Sequence, residues 1–581
     1  MVAFVCFMAY TVAMHIDVVP NRNSRPAYLL RESYREGKRV RKRTLANLSA
    51  LSEAQIDGIR AVLRGEAVRP VGELFEAVAS RPCGHVQAVH VAMQKLDMAR
   101  LLGGSFGPER DRVLALIAAR VLCPDTKLAT TRRWQQSTLA DTFGVADAQA
   151  EDLYAAMDWL LARQEGIQKR LAARHLQAGS MVLYDLSSSY LEGRHCPLAR
   201  LGYSRDGKKG KLQVNYGLLT DRRGCPVAVS VYPGNTADTA TLMPEVSRLR
   251  ETFGLGEVVL VGDRGMISKA HIEHLRELEG FSWITALKSV SIRKLVQDQT
   301  VQLGLFDERN LFETHHPDYP GERLIACRNP ELADYRAAKR DALLQATESQ
   351  LSKIQERVNK GRLQGADQIG VAVGKVLDRY KVGKHFILEI EDQRFGFCRD
   401  IERIHQEAAL DGLYVLRTSL DAEQMGAPDC VRSYKALAQV ERAFRSLKTM
   451  DLKVRPIHHR LADRVRAHIF LCMLAEYVAW HLREVWQPLL FADEDQAAKA
   501  QRDPIRPARR SADAEAKVAS RLNNNGQPLH SFQTLLGELA CIVRNTCRTP
   551  GSSDQQPTFE ITTRPNPLQQ RALDLVTQIR V

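Results

Sequence analysis

The chain has 581 residues, 44% of them hydrophobic and 26% charged, with a formal net charge of +14 at neutral pH. That length supports several structural units, and that balance excludes a collagen, a coiled-coil rod, a mucin or a wholly disordered chain. The positive excess favours a polyanionic partner, either nucleic acid or an anionic membrane surface.

Residues 1–13 are an uncharged apolar run. They lack a positive n-region and are too short to span a bilayer, so neither a signal peptide nor a membrane span is expected. The abrupt change at Met14 to patterned, basic sequence marks 1–13 as a non-native N-terminal extension, with translation starting at Met14. Eleven cysteines are scattered along the chain, and no C-x-x-C occurs. Reduced thiols in a cytoplasmic protein are expected.

Residues 14–80 read as a basic DNA-binding arm followed by short amphipathic helices. From Arg22 to Arg43 nine Lys/Arg face two Glu, a net of +7. Alternation around Ala27–Leu30 and Arg39–Thr44, with Glu36-Gly37 between, predicts a hairpin. Arg39, Arg41, Lys42 and Arg43 are its candidate DNA contacts. Residues 81–178 follow as a helical domain, with apolar residues recurring at threes and fours and breaks at Gly103, Pro124 and Gly144. At Ser180 the period changes. Strands are expected over 181–193, 211–220, 226–235, 257–263 and 281–288. A helix capped by Asn235 is expected to run to Glu251, and another over Ser268–Leu278. This is the first part of a mixed α/β core, 179–288. Residues 289–410 form an inserted α+β subdomain with a long helix over Leu332–Asn359. The core resumes over 411–488, with helix from Tyr434 to Trp486. A polar linker, 489–530, leads to a C-terminal helix and tail, 531–581.

Acid placement carries the chemistry. Asp185 interrupts an apolar strand, and Asp263 ends another. A buried carboxylate needs a cation, donors or a metal, although one such Asp alone also fits a capped strand end. Tyr434, Glu441 and Lys448 are spaced by sevens, which places them along one face of a continuous helix, with Arg445 at i+4 from the Glu. Ten Lys/Arg and three acids lie between Arg432 and Arg466. A surface Glu–Arg pair would explain Glu441 alone.

At these residues the sequence resembles the DDE transposases of bacterial insertion sequences, in the branch marked by Y-x2-R-x3-E-x6-K. Tyr434, Glu441 and Lys448 match that motif, and Leu437 replaces its Arg. The segments VLYDLSSSYLEG, GYSRDGKKGKLQVNYGLLTDRRG, VVLVGDRGMIS and VERAFRSLKTMDLKVRPIHHR carry the rest of the likeness.

The resemblance implies an α/β fold with a ribonuclease H-like mixed-sheet catalytic core. In it Asp185, Asp263 and Glu441 are the catalytic acids and metal ligands, holding two Mg²⁺ ions with Mn²⁺ as a substitute. It also implies binding to double-stranded DNA, at the terminal inverted repeats and the target, and a homodimer in the synaptic complex. The chemistry is nicking at the element's ends and joining of the 3′-OH to target DNA by two-metal phosphoryl transfer. Tyr434 and Lys448 would hold the backbone phosphate, with Arg445 or Arg442 in place of the missing Arg. A catalytically inactive DNA-binding derivative, or another nuclease on the same core, would carry much of the same sequence. No Trp occurs in 289–410, so base stacking on an insertion Trp is not supported. Tyr203 to Lys211 is expected as a solvated or DNA-contacting charged turn, with Asp206 outside the catalytic set. His458, His459 and His468 are expected to pack or to touch DNA.

Overall fold

The computed structural model describes residues 13–22, 25–66, 75–103, 106–302, 306–307, 310–493, 502–506, 509–523, 525–549 and 557–581. The chain divides into two compact units, one of residues 1–80 with 544–562, the other of residues 81–543 with 563–581. The expected extension 1–13 lies outside the described residues except for Ala13, which opens the first strand.

In the smaller unit β1 (Ala13–Val19), β2 (Ala27–Glu36) and β3 (Arg39–Asn47) form an antiparallel sheet. The β2–β3 hairpin turns through Gly37 and Lys38, and Gly37 sits at φ +63°, where a side chain would be strained. β1 adds to the expected hairpin and brings Asp17, whose carboxylate takes Arg31 at 3.0 Å and Lys42 at 2.9 Å. Arg41 pairs with Glu36 at 2.6 Å and Arg43 with Glu32 at 2.8 Å. A capping box between Ser52 and Gln55 starts the helix Glu53–Leu63. The further helix expected before residue 80 is instead a strand, β4 (Glu76–Pro82). Its pairing partner lies far along the chain, so nothing local announces it.

In the larger unit, helices run from Gly84–Lys95 to Gln164–His175. They do not form a separate domain. Their apolar faces share one core with the sheet and with the helix Ala462–Val485. That helix buries residues all round, including Phe470, Leu471, Tyr477 and Leu482, because it lies between the sheet and the helices Pro108–Leu122 and Ala150–Leu161.

β5 (Ser180–Tyr190), β6 (Gln213–Asp221), β7 (Pro226–Pro233), β8 (Val258–Gly262) and β9 (Phe281–Ala286) form the core sheet in the order β7-β6-β5-β8-β9. β5, β6 and β7 are antiparallel neighbours, and β8 and β9 run parallel to β5. That order and sense are those of a ribonuclease H-like core. The expected Asn235–Glu251 helix is broken into a 3₁₀ turn Asp238–Thr241, a short helix Leu242–Ser247 and a wide turn Arg248–Thr252. Asp238 is engaged by Arg205 rather than reaching back to cap a helix.

The stretch 289–410 is not one inserted body. β10 (Leu311–Thr314) and β11 (Arg323–Arg328) extend the main sheet. Only the following part has its own core: the helices Pro330–Asn359 and Ala366–Tyr380 close over the hairpin of β12 (Phe386–Ile390) and β13 (Phe395–Arg399) through Leu344, Leu351, Ile369, Val373 and Phe395. β14 (Leu413–Thr418) then returns between β9 and β11, antiparallel to both. The expected linker docks rather than dangles. Ile505 is fully buried beside Cys430 and Val431, and its carbonyl accepts from Asn329 and Lys435, each at 3.1 Å.

The expected last helix stops at Ala540. Beyond it β15 (Val543–Arg548) and β16 (Phe559–Thr562) complete a three-stranded sheet with β4, in the order β16-β15-β4. The N-terminal region and the segment 544–562 therefore both contribute to the smaller unit, while residues 563–581 return to the larger one.

Candidate active site

β5 is apolar and buried along most of its length, and Asp185 is its one acid. The parallel β5–β8 ladder ends with Tyr184 opposite Gly262. Asp185 and Asp263 are the next residue on each strand, so the register sets them side by side, roughly one interstrand spacing of about 4.8 Å apart at the backbone. Asp185 Oδ1 accepts from the Leu186 N–H at 2.8 Å. Burial pushes its pKa up to about 7, and the negative charges of Asp263 and Glu441 push the same way, against the Leu186 N–H and Arg205. Asp263 Oδ1 accepts from the Tyr434 hydroxyl at 3.2 Å.

Glu441 arrives on the helix Leu437–Arg445, which packs Val440, Ala443 and Phe444 onto β5 and β6. The Phe444 ring meets Tyr216 of β6 edge-on, with centroids 5.7 Å apart. Glu441 is on the exposed side of that helix. Among the described residues none of the three acids is in an ion pair, and Glu441 does not pair with Arg445. The surface-pair explanation of Glu441 therefore does not hold here.

The expected continuous helix from Tyr434 is broken. Tyr434 ends a separate helix, Ala427–Lys435; Lys448 lies on a π-helical turn, Ser446–Met450; and the next helix starts only at Ala462. Tyr434 and Glu441 both approach the aspartates, whereas the Lys448 side chain is buried and its ammonium is engaged by Asp206. The one-face picture fails because the wide turn rotates Lys448 inward. Leu437 packs against the core, so the position of the motif's Arg is taken by an apolar contact. Arg442 and Arg445 are exposed, and among the described residues neither has an ion-pair partner. Arg39, Arg41, Lys42 and Arg43 all lie on exposed β3 in the smaller unit.

Lys448 Nζ donates to Asp206 Oδ1 at 3.0 Å, and Arg455 pairs with the same carboxylate. Asp206 is thus no solvated turn residue: its side chain is 2% exposed. Its neighbour Arg205 pairs with Asp238 and lies close enough to hold down the pKa of Asp185. The setting of Asp206 was missed because its partners are far off in the sequence; Lys448 and Arg455 are more than 200 residues away. His468 and His459 prove to be packing residues. His468 is buried against the Val454 carbonyl at 3.1 Å, and its ring lies 5.1 Å from that of His459.

A cleft of about 540 Å³ opens beside Asp263 and Tyr434, lined by the cations Arg264, Arg293, Arg336 and Lys384, the acids Glu407 and Asp411, and Tyr414. Lys384 pairs with Glu407 at 2.5 Å, so the lining carries both signs of charge, with Arg264, Arg293 and Arg336 as its remaining cations. The metal-ligating group whose donor atoms all lie within 4.8 Å of one another is elsewhere, His175 with Cys225 and His481. Burial holds both imidazoles neutral, with pKa values of about 4 and about 3, and Arg174 and Arg223 face them. Asp221 lies beside them and pairs with Arg223 at 2.9 Å, and burial pushes the Cys225 thiol up.

Residues 188–476 match the family model described as the transposase DDE domain, and residues 16–73 match the N-terminal domain of the IS1634 family transposases. The chain belongs to the DDE transposases of bacterial insertion sequences. In this transposase the DDE match contains Asp263, Tyr434, Glu441 and Lys448, and starts just past Asp185. DDE domains typically use divalent metal ions, and the transposase acts on DNA. Among solved structures, the transposase is similar to the cryo-EM structure of a piggyBac transposase synaptic complex with hairpin DNA. That likeness has 9% identity, covers 79% of this chain and 76% of that one, and has a TM-score of 0.36. No match is found among curated proteins. No described helix is long and apolar enough to cross a membrane.

Proposed function

We propose that the transposase binds the terminal inverted repeats of its insertion sequence, nicks the ends, and joins the freed 3′-OH to target DNA. Asp185, Asp263 and Glu441 hold two Mg²⁺ ions, for which Mn²⁺ substitutes. When bound, the ions activate the attacking water or 3′-hydroxyl and stabilise the leaving 3′-oxygen. The observation that carries this reading is the convergence of three carboxylates without a cation, in a chain with 82 Lys/Arg available to pair with them.

The chain's own residues supply position and charge. The Tyr434 hydroxyl fixes one oxygen of Asp263 and leaves the other free. Lys448, Arg442 and Arg445 engage the backbone phosphate near the cut, and the basic hairpin carrying Arg39, Arg41, Lys42 and Arg43 engages the ends. Two copies act together in the synaptic complex, in the bacterial cytoplasm at the nucleoid. The test is cleavage of a labelled duplex carrying the inverted repeats that flank the reading frame. Cleavage is expected with Mg²⁺ or Mn²⁺ and none with EDTA; cleavage in EDTA would overturn the reading.

A further inference from the structure

We propose that Asp206 is a positioning residue of the transposase, whose buried carboxylate holds Lys448 and Arg455 together as one clamp for the DNA phosphate at the active site. The inference rests on the phosphate-holding role given above to Lys448.

Asp206 is a meeting point of three parts of the chain. Its Oδ1 takes the Lys448 ammonium at 3.0 Å and also the Arg455 guanidinium. Its Oδ2 accepts the N–H of Tyr190, at the end of β5, at 3.2 Å. The turn bearing Asp206 is tied to the same strand by the Arg205 N–H, which donates to Ser188 Oγ at 3.1 Å. The segment after Arg455 joins that strand end too: the Ile457 N–H donates to the Tyr190 carbonyl at 3.2 Å, and the Glu192 N–H to the Ile457 carbonyl at 2.8 Å. The strand that carries Asp185 and the chain that follows Glu441 are therefore pinned together around this carboxylate.

The charges favour an incoming anion. One carboxylate faces two cations, with Arg205 as a third nearby, so the group keeps a positive excess for a phosphate. Burial drives the Lys448 ammonium toward neutrality, with Arg455 and Arg205 acting the same way, and Asp206 opposes all three. A lysine sunk this deep keeps its charge and its aim through that acid. With both oxygens already engaged, Asp206 is not a spare metal ligand.

The experiment is single-turnover cleavage of the labelled terminal-repeat duplex by the full chain, with the melting temperature of each variant recorded. Asp206→Asn keeps the shape and removes the charge. It is expected to slow cleavage about ten-fold or more at pH 7.5, with activity relative to wild type recovering as the pH is lowered. Asp206→Glu should restore part of the rate. Adding Asp206→Asn to Lys448→Met should cost no more than about three-fold beyond Lys448→Met alone, because the acid acts through the lysine. Multiplying effects, wild-type cleavage by Asp206→Asn, or an Asp206→Asn chain that does not fold would each overturn the proposal. Glu441→Gln run alongside separates the two readings: its cleavage would sink the metal assignment, whereas the double-variant result bears on Asp206 alone.

Discussion

Two sets of acids flank the segment from Glu441 to Met450, and the fold treats them oppositely. On one side Asp185, Asp263 and Glu441 gather with no cation partner. On the other, Asp451 and Glu476 share Arg483 and the Ser446 hydroxyl, which lies 2.7 Å from Asp451 and 2.6 Å from Glu476. Neutralising a buried acid is therefore within reach of this fold, within a few residues of the place where it is not done. Leaving three carboxylates together unpaired costs stability through repulsion and desolvation, and a protein keeps that arrangement where a cation comes from outside.

The comparison breaks most sharply by mutation of the unpaired set. Asp185→Asn, Asp263→Asn or Glu441→Gln should each lower cleavage by about 10³-fold or more while end binding stays within about three-fold, since the ligands act as a unit. Gel-based cleavage and binding by the same preparations test this; wild-type cleavage by any one removes that acid from the set. In the paired set the loss should fall on stability instead. Arg483→Met leaves Asp451 and Glu476 without their cation and should cost about 2–4 kcal/mol, read as a lower melting temperature. Glu441→Gln should leave melting unchanged or raise it.

A smaller effect comes from pH. Burial pushes Glu476 up to about 7, against 4.5 for an exposed glutamate, with Arg483 and Ser446 opposing the shift. The folded chain then holds this proton more tightly than the unfolded one. Its contribution to stability is complete below about pH 4.5 and is lost as the pH rises through 7. Unfolding free energies from urea titration at pH 5 and pH 8 should differ by roughly 1–2 kcal/mol more in the wild type than in Glu476→Gln. The smallest effect is expected at the hairpin. Replacing Arg39, Arg41, Lys42 and Arg43 by Gln should weaken end binding, yet flatten its salt dependence by only about one to two charges. Three of the four already carry a carboxylate partner in their own sheet. Binding titrated across salt concentrations measures the slope, and an unchanged one would move end binding elsewhere in the chain.

What was legible in the sequence follows from range. β5 to β9 announce themselves because each is a short apolar run bounded by turn residues, and the two aspartates stand out against that background. The helix Pro330–Asn359 shows through its 3.6 period, although its Asn329 cap was not read and the start was set two residues late. The spacing of Tyr434, Glu441 and Lys448 was visible, but spacing assumes a regular helix, and the turn at Ser446–Met450 is not one. β4 could not be read locally, because an edge strand whose one partner is a distant segment carries no periodic mark. Asp206 looked solvated for the same reason: its setting of Lys, Arg and Gly is polar in sequence, while its partners come from beyond residue 440.

The sheet of β4, β15 and β16 has a consequence for synthesis. The strand that ends the N-terminal region meets its neighbour only after residue 543, and the sheet is complete only at residue 562. A ribosome that has already released the whole basic hairpin still holds back the strands that finish the same unit. A nascent chain, or one cut short before residue 543, leaves β4 as a bare edge, open to pairing with another chain. Completion of that unit thus reports that translation has passed all three acids.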